Sequence, residues 1–378
     1  GGKAARGDET VVGGGIYTRD TLELFSTTVR DNQAEADESD ARGGGIYNTG
    51  NLVARNSLVA FNSASAPEDV SGGGIFSRLD DLLAEDEDNT GLHLINTTLS
   101  GNTAESTGAT EAAGRVYGGG LFVEAYILPE YLPLPDTVTL TNVTIAGNGV
   151  SAPNATGDEP AGGGAYFNVR ESAASPIVRV NNTIMAGNGD DCVLGAALDF
   201  ASAHSLYESS GAAACDLAAA DPDANGNIVG EDALLGPLAN NGGPTRTHAL
   251  LAGSPAIDSG DNDLAVNQSG DPLADDQRGF FDRVENGTVD MGAYEVGAQE
   301  PSHDDGGVFF SATAVGSAAG LAFGPHDILR YDGSAWSKWF DGTAAGLKGA
   351  PTACHNLNAF WFPDSGDDDV VMSFAQNG

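Results

Sequence analysis

Apolar and polar residues alternate over short segments that recur five times in the first 190 residues of the chain. The segments align on one polar residue, which is Ser26, Asn56, Asn96, Asn142 or Asn182. The residues four and two positions before it are apolar, and this period of two is typical of a β-strand with one buried face. The residue three positions after it is again apolar but has the opposite parity. We therefore predict two strands joined by a corner at the aligned residue.

Three consecutive glycines precede each of these segments and are followed by an apolar and an aromatic residue. The runs are Gly13-Gly14-Gly15-Ile16-Tyr17, Gly43-Gly44-Gly45-Ile46-Tyr47, Gly72-Gly73-Gly74-Ile75-Phe76, Gly118-Gly119-Gly120-Leu121-Phe122 and Gly162-Gly163-Gly164-Ala165-Tyr166. Each unit closes on a second asparagine, namely Asn32, Asn62, Asn102, Asn148 or Asn188. Units of about thirty residues that repeat in this way bury their apolar faces against their neighbours in a stack. The pattern predicts an all-β fold, a right-handed parallel β-helix.

The corner asparagines are candidates for an internal ladder, in which each side-chain amide bonds to the coils above and below. The members that we predict are Asn56, Asn96, Asn142 and Asn182. Two acidic stretches lie in connections of the repeat: residues 31–40 between the first two units, and residues 80–88 in the long loop of the third unit. We interpret these stretches as solvated spacers, because surface insertions are well tolerated.

The composition is strongly acidic, with 54 Asp and Glu residues against 16 Lys and Arg residues and a net charge of -38. Nucleic-acid binding is excluded because no cationic stripe is present to neutralise phosphates. Such a charge keeps a protein soluble, and it favours a salty medium or divalent cations that screen the self-repulsion. No apolar run approaches the roughly 20 residues that would cross a bilayer.

The three cysteines favour a location outside the cytoplasm. Cys192 and Cys215 bracket a stretch rich in Gly, Ala and Ser directly after the last repeat, and we predict that they form a disulfide. Such a bridge stabilises a fold by about 3 kcal/mol and is typical of oxidising compartments. Cys354 is left without a cysteine partner, and we interpret it as a buried or free thiol.

Four sequence blocks follow the cysteines. They are GPLANNGGPT from Gly236 with THALL from Thr247, GSPAIDSG from Gly253, DQRG from Asp276 and DMGAYE from Asp290. With these blocks, residues 181–296 resemble the choice-of-anchor Q domain proteins, which are secreted bacterial β-helix proteins that often carry cysteines at the positions of Asp191-Cys192 and Cys215. The upstream repeats are similar, less closely, to those of polymorphic outer-membrane adhesins. The resemblance implies a surface-displayed or released β-helix and brings no catalytic residues.

The chain is predicted to contain two domains joined by a linker. Residues 1–296 form the β-helix, in which the glycine-run repeats extend to about residue 190, and residues 297–307 form the linker. Residues 308–378 form a small β-rich module that holds all three tryptophans, Trp336, Trp339 and Trp361. We interpret these tryptophans as core residues, although exposed ones would be able to stack on sugars.

Two clusters of carboxylates could carry chemistry. Asp221, Asp223, Asn225 and Asn227 alternate, and Asp232 stands at the twelfth position, as in a calcium-binding loop. Against calcium, residues 228–229 have strand character where a helix should follow, so a solvated loop stays open.

The second cluster is Asp190-Asp191, near the end of the repeats. Polysaccharide hydrolases and lyases with this architecture use clustered carboxylates. Adjacent residues of a strand point to opposite faces, however, and no histidine and arginine cluster lies nearby. We therefore favour a structural role for these two residues.

These features together predict a non-catalytic extracellular structural or adhesive protein, located outside the cell or on a bacterial cell surface. Its expected partners are further copies of the chain, added head to tail through the solenoid ends into filaments, and a surface glycan or host ligand. A polysaccharide-active lyase or hydrolase and a calcium-dependent carbohydrate-binding module are the alternatives. A cleft lined with carboxylates and aromatic rings would favour the enzyme, and calcium ions in the acidic loops would favour the binding module.

Overall fold

The computed structural model describes two units of the chain, Gly1–Gln299 and Glu300–Gly378. In the first unit it describes residues 2–6, 10–80, 91–108, 114–126, 137–153, 160–170, 177–195, 199–279 and 281–298. In the second unit it describes seven strands between residues 308 and 375. Among the described residues no helix is long and apolar enough to cross a membrane.

The first unit is a parallel β-solenoid, which confirms the predicted fold class. Five sheets run along its axis, and successive coils pair in parallel, residue for residue. We number the sheets in the order in which a coil passes through them. Sheet 1 contains β2 (Val11–Val12), β7 (Ala41–Arg42), β12 (Val70–Ser71) and β17 (Val116–Tyr117). Sheet 2 contains β3 (Ile16–Thr18), β8 (Ile46–Asn48), β13 (Ile75–Asp80), β18 (Leu121–Tyr126), β22 (Ala165–Arg170) and β25 (Cys192–Leu194).

The remaining three sheets complete each coil. Sheet 3 contains β4 (Leu22–Phe25), β9 (Leu52–Arg55), β14 (Leu92–Ile95), β19 (Thr137–Thr141), β23 (Ile177–Asn181) and β26 (Asp199–Ala203). Sheet 4 contains β5 (Thr28–Arg30), β10 (Leu58–Ala60), β15 (Thr98–Ser100), β20 (Thr144–Ala146), β24 (Ile184–Ala186), β27 (Leu206–Tyr207) and β28 (Ile228–Val229). Sheet 5 contains β1 (Lys3–Arg6), β6 (Gln33–Ala36), β11 (Ser63–Ala66), β16 (Thr103–Ser106) and β21 (Gly149–Ser151). Residues 33–36, interpreted from sequence as part of a spacer, are thus a strand of sheet 5.

The inward residues predicted from the alternation lie in the core. In the third coil Leu92 and Leu94 of β14 and Leu99 of β15 are fully buried and belong to one apolar cluster. The parity changes between these strands because the aligned residue has a left-handed backbone, which Asn adopts more readily than most residues. The φ angles at this corner are 45° for Ser26, 51° for Asn56, 45° for Asn96, 52° for Asn142 and 48° for Asn182. The predicted corner is confirmed.

The three glycines have separate roles, as the third coil illustrates. Gly72 has a φ of +68°, which reverses the chain direction without a steric penalty. A Cβ on Gly73 would lie 2.2 Å from the carbonyl oxygen of Thr103 in sheet 5. A Cβ on Gly74 would lie 2.9 Å from the side-chain carbon of Asn102. Residues without a Cβ are therefore required at these positions, because the backbone before sheet 2 passes close to the backbone of sheet 5 and to the asparagine that closes the unit.

The aromatic residue after each glycine run stacks on its counterpart in the next coil. The ring centroids are 5.4 Å apart for Tyr17 and Tyr47, 4.9 Å for Tyr47 and Phe76, 5.2 Å for Phe76 and Phe122, and 5.7 Å for Phe122 and Tyr166. These rings form an apolar cluster separate from the main core. Because the spacing of parallel strands, about 4.8 Å, suits parallel stacking, the rings reinforce the register of sheet 2.

The solenoid continues beyond the five repeats seen in the sequence. A sixth coil uses β25, β26 and β27, and its corner residue is His204, with a φ of 46°. The predicted disulfide between Cys192 and Cys215 is confirmed. Cys215 and the adjacent Ala214 are buried in the main core, so the bridged segment covers the apolar interior at this end.

The last coil strand is β28, although the sequence predicts a β-helix to residue 296. Residues 233–279 and 281–296, which we call the strap, instead lie along the outer surface of sheet 4. The strap contains an antiparallel hairpin of β29 (Leu235–Ala239) and β30 (Thr247–Leu250) and a 3-10 helix at Asn262–Leu264. Its Leu250 and Met291 pack against outward-facing Ile184 and Leu206 of the solenoid.

The second unit consists of antiparallel pairs. One sheet has the order β31 (Val308–Ser311), β34 (Ile328–Tyr331), β35 (Trp336–Phe340). β32 (Gly316–Ala318) pairs with β33 (Leu321–Phe323), and β36 (Asn356–Trp361) pairs with β37 (Val371–Ala375). The three tryptophans lie in β35 and β36. Cys354 lies outside the described residues.

The glycine run gives a first prediction. Gly73→Ala should destabilise the chain by about 1 to 3 kcal/mol, because the new Cβ overlaps the backbone of Thr103 and nothing flexible can yield. Gly149→Ala is the matched control, since a Cβ there meets nothing within 4 Å. Urea unfolding of both variants measures the difference, and equal midpoints would contradict the close approach.

Candidate functional site

A ladder of buried asparagines runs through the solenoid at the second asparagine of each unit. Each Nδ2 donates to Oδ1 of the next residue: Asn32 to Asn62 at 2.8 Å, Asn62 to Asn102 at 2.9 Å, Asn102 to Asn148 at 2.9 Å and Asn148 to Asn188 at 3.1 Å. Every backbone N–H of these donors bonds to the same acceptor oxygen. The ladder therefore satisfies groups that would otherwise be buried without partners.

The predicted ladder of Asn56, Asn96, Asn142 and Asn182 is wrong, because these four amides donate to the strap. The Nδ2 atoms bond to Asp275 Oδ2 at 3.0 Å from Asn56, to the Asp275 carbonyl at 2.7 Å from Asn96, to the Asp290 carbonyl at 3.3 Å from Asn142 and to the Asp261 carbonyl at 2.9 Å from Asn182. The physical reason is the left-handed corner, which directs these side chains to the outer surface. His204, at the corner of the sixth coil, likewise contacts the Ser259 carbonyl through Nδ1 at 3.2 Å. We call these five residues, Asn56, Asn96, Asn142, Asn182 and His204, the corner row. The corner row fastens the strap along the solenoid.

The strap is held together by a buried ionic network. Arg278 Nη2 lies 2.6 Å from Asp276 Oδ2, and Arg283 Nη2 lies 3.0 Å from Glu295 Oε2. All four side chains are almost fully buried. The Cζ atom of Arg278 also lies 3.7 Å from the ring centroid of Phe281. Asp276 and Arg278 belong to the DQRG block and Glu295 to the DMGAYE block, so side chains of both blocks shape the strap. Breaking one partner of such a pair leaves a buried charge uncompensated.

Burial controls protonation in this network. Asp290 and Glu295 are both buried and share one guanidinium partner, that of Arg283. Burial raises the pKa of Glu295 to about 7, and Arg283 only partly opposes the rise. Burial also raises the pKa of Asp290. One proton is thus retained in the folded network at a pH where an exposed carboxyl is ionised.

The predicted calcium ligands lie in different environments. Asp221, Asn225 and Asp232 are exposed, whereas Asn227 is completely buried. Asp223 bonds to both Asn225 and Asn227, and although burial acts to raise its pKa, these hydrogen bonds lower it. Among the residues that the structure describes, no three His, Cys, Asp or Glu side chains converge in a way that could hold a metal.

Asn227 has a structural role instead. Its Oδ1 accepts from the backbone N–H of Ser205 at 3.1 Å, and its Nδ2 donates to the Ser202 carbonyl at 2.9 Å. One coil earlier the hydroxyl of Ser205 accepts from the N–H of Thr183 at 3.1 Å in the same manner. Asn227 therefore ends a row of hydroxyl acceptors beside the corner, and it does not suit a calcium loop. Calcium binding by the chain stays a prediction.

Asp190 and Asp191 occupy different environments. Asp191 is fully buried at the end of the asparagine ladder, where Oδ1 accepts from Asn188 at 3.0 Å and Oδ2 from the N–H of Ser209 at 2.7 Å. Burial raises the pKa of Asp191, and the hydrogen bonds oppose the rise. Asp190 is half-buried, and its carbonyl accepts from Gly164. Asp191 thus terminates the ladder.

The outer surface of sheet 5 carries a polar groove of about 280 Å³. Two rows of side chains line it across three coils. The first row is Gln33, Ser63 and Thr103, and the second is Glu35, Ser65 and Glu105. We call this surface the polar face. Its floor is flat because the intervening residues Ala34, Ala64 and Ala104 point into a narrow alanine-rich part of the interior. Amide, hydroxyl and carboxylate groups are thus repeated at the strand spacing, about 4.8 Å.

Comparison of the chain with family models, with curated proteins and with solved structures gives no match. The resemblance to choice-of-anchor Q domain proteins stays a sequence prediction. The polar face was missed from sequence because residues 33–36 were interpreted as a spacer. The signal that was present is the alternation of small residues at 34 and 36 with polar residues at 33 and 35.

The ladder gives a second prediction. Asn102→Leu should lower the free energy of unfolding by about 2 to 4 kcal/mol, because Asn62 loses its acceptor and Asn148 its donor inside the core. Asn225→Leu removes an exposed asparagine and should change stability by less than about 0.5 kcal/mol. Denaturant melts that do not separate the two variants would remove the ladder from the stability of the fold.

The ionic network gives a third prediction, which concerns pH. Because the folded pKa of Glu295 is raised, the stability that its proton contributes is complete below about pH 4.5 and is lost as the pH rises towards 7. The wild-type chain should therefore lose up to about 3 kcal/mol relative to Glu295→Gln across this window. Asp282→Asn, on the exposed surface of the strap, is the control of equal charge change. A pH-independent difference between wild type and Glu295→Gln would show that Glu295 does not titrate there.

Proposed function

We propose that the chain is an extracellular structural and adhesive protein, in which the solenoid is the scaffold and the polar face binds a neutral glycan. The observation that carries the proposal is the groove of about 280 Å³ on the polar face. Every residue that lines it comes from sheet 5, whose strands β6, β11 and β16 are in register. A disulfide supports a location outside the cell or on a bacterial surface.

The chemistry of the polar face suits a ligand that offers hydroxyl groups as both donors and acceptors. Gln33 supplies donors and acceptors, Ser63, Ser65 and Thr103 supply hydroxyls, and Glu105 supplies an acceptor only. Such bonds at repeated spacing favour an extended polymer that runs along the solenoid axis. The net charge of -38 repels anionic polymers, so a neutral glycan is the preferred ligand.

Calcium is a second component of the proposal. A divalent cation between Glu105 and an anionic glycan would relieve the repulsion, since carboxylate oxygens are preferred calcium ligands. This role does not use the loop at residues 221–232. It makes the binding of anionic glycans dependent on calcium, and leaves neutral glycans independent of it.

Head-to-tail assembly is the remaining component. Tyr17 and Phe25 of the first coil are 45% and 50% exposed, whereas Tyr47, the counterpart of Tyr17 in the second coil, is 8% exposed. A further coil, from a second copy or from sequence that precedes Gly1, would bury these rings. Sedimentation velocity of the preparations used for glycan binding measures this assembly, and a single monomeric species at all concentrations would contradict it.

The fourth prediction tests the polar face. Native electrophoresis in gels that contain neutral or anionic polysaccharides, with calcium or with a chelator, should show retardation of the wild-type chain. Ser65→Arg places a long side chain in the groove and should weaken binding at least tenfold. Thr28→Arg, on an exposed position of sheet 4, is the matched control and should bind as the wild type does. Equal retardation of both variants would place binding elsewhere, and no retardation by any polysaccharide would reject the glycan.

A further inference from the structure

Ser100 and His248 meet where the strap hairpin crosses sheet 4. Ser100 is the last residue of β15 and faces outward, and its Oγ lies 2.9 Å from His248 Nε2. The other ring nitrogen, Nδ1, lies 2.7 Å from the carbonyl oxygen of Gly236 in β29. The residues are 148 positions apart, so only the folded strap creates this contact.

The carbonyl of Gly236 fixes the tautomer of His248. A carbonyl oxygen can only accept a hydrogen bond, so Nδ1 must carry the proton. Burial lowers the pKa of His248, although the bond to Gly236 acts in the opposite direction, and the ring is neutral near pH 7. Nε2 therefore presents its lone pair, and the hydroxyl of Ser100 donates to it. This is the arrangement of a hydroxyl nucleophile, a general base and a group that orients the base.

A pocket of about 220 Å³ adjoins His248, and the buried Ser100 lies behind the ring rather than in the lining of the pocket. His248 forms one wall, and Ala146, the strand neighbour of Ser100, lies in the floor with Ala186. Glu208 and Asp232 lie at its polar side. The volume is below the range of drug-sized ligand pockets, which suits a small molecule. Because alanines flank Ser100 on sheet 4, its hydroxyl is shielded mainly by the strap.

We propose that Ser100 and His248 form a nucleophile and general-base pair that reacts with small acyl esters admitted through this cavity. The Ser100 Oγ attacks the ester carbonyl carbon while its proton passes to His248 Nε2, and the carbonyl electron pair moves to oxygen. When the carbonyl re-forms, the ester C–O bond breaks, and the leaving alcohol takes the proton from Nε2. Water then releases the acyl group from Ser100 by the same steps.

This pair goes beyond the proposed glycan binding and is independent of it. The polar face lies on sheet 5, whereas Ser100 lies on sheet 4 beneath the strap. A bond that only fastens the strap would leave Ser100 no more reactive than the other serines of the chain. Reactivity towards an electrophile therefore separates the two roles, whatever the outcome of the polysaccharide experiment.

The fifth prediction uses diisopropyl fluorophosphate as the probe on the full chain. Its phosphorus forms a bond to Ser100 Oγ, fluoride leaves, and the serine proton passes to His248. Intact mass should rise by one diisopropylphosphoryl group, and peptide mapping should place it on Ser100. The rate should rise with pH and level off, with an inflection below the usual histidine pKa of about 6.5.

Two variants provide the comparison. His248→Gln should slow the labelling of Ser100 about 100-fold or more. His204→Gln is the matched control, because His204 also contacts a strap carbonyl but its bond there is to Ser259 and involves no serine hydroxyl. Absence of a Ser100 adduct on the wild-type chain would overturn the proposal, as would equal labelling in a folded His248→Gln chain. Should His248→Gln fail to fold, a pH-independent rate on the wild-type chain would overturn it as well.

Discussion

The register of each coil on the next depends on one buried amide per turn. Asn62, Asn102 and Asn148 each donate to the next coil and accept from the previous one, so a slip of one residue would leave several buried polar groups without partners. The glycine runs follow from this ladder, because a Cβ at Gly74 would overlap Asn102. The stacked aromatic rings of sheet 2 reinforce the same register from outside. The ladder ends at Asp191, whose burial is possible because Asn188 and Ser209 bond to its two oxygens.

A second requirement arises because part of the outer surface of sheet 4 is apolar. Its inward residues build the core, and its outward Ile184, Leu206 and Ile228 need a cover. The strap supplies that cover, and the corner residues hold it through side chains that a left-handed backbone turns outward. The buried arginine and carboxylate pairs stabilise the shape of the strap but contribute little net attraction between strap and solenoid, since paired charges lose solvation when buried. Fastening therefore comes from the corner residues, from the apolar contacts and from further hydrogen bonds such as those of Thr98 with Gln277 and of Ala293 with Thr144.

The coils could be predicted from sequence because strand alternation and the glycine runs are local signals. The choice of ladder could not, since the repeat shows that both Asn96 and Asn102 recur but not which side chain turns inward. The sixth coil lies within the predicted β-helix, but its repeat was not recognised, because its corner residue is His204 and no glycine run precedes it. The strap was missed because its contacts join residues far apart in sequence, from 79 positions for Asn182 with Asp261 to 219 for Asn56 with Asp275. Sheet 5 was missed because its inward residues are alanines, which carry a weak hydrophobic signal.

The same alanines explain why recognition is proposed on sheet 5 and reactivity on sheet 4. Small inward residues let sheets 1 and 5 approach closely, so the outer surface of sheet 5 stays flat and its polar rows stay in register. Sheet 4 instead carries outward apolar residues such as Ile184 and Leu206, and the strap that covers them also covers Ser100. Burial disfavours the protonated, charged form of His248 and so lowers its pKa. The ring is therefore neutral near pH 7, and its Nε2 lone pair is free to accept a proton. A covered sheet can thus hold a base near a hydroxyl, whereas an open polar sheet can bind a hydrated polymer.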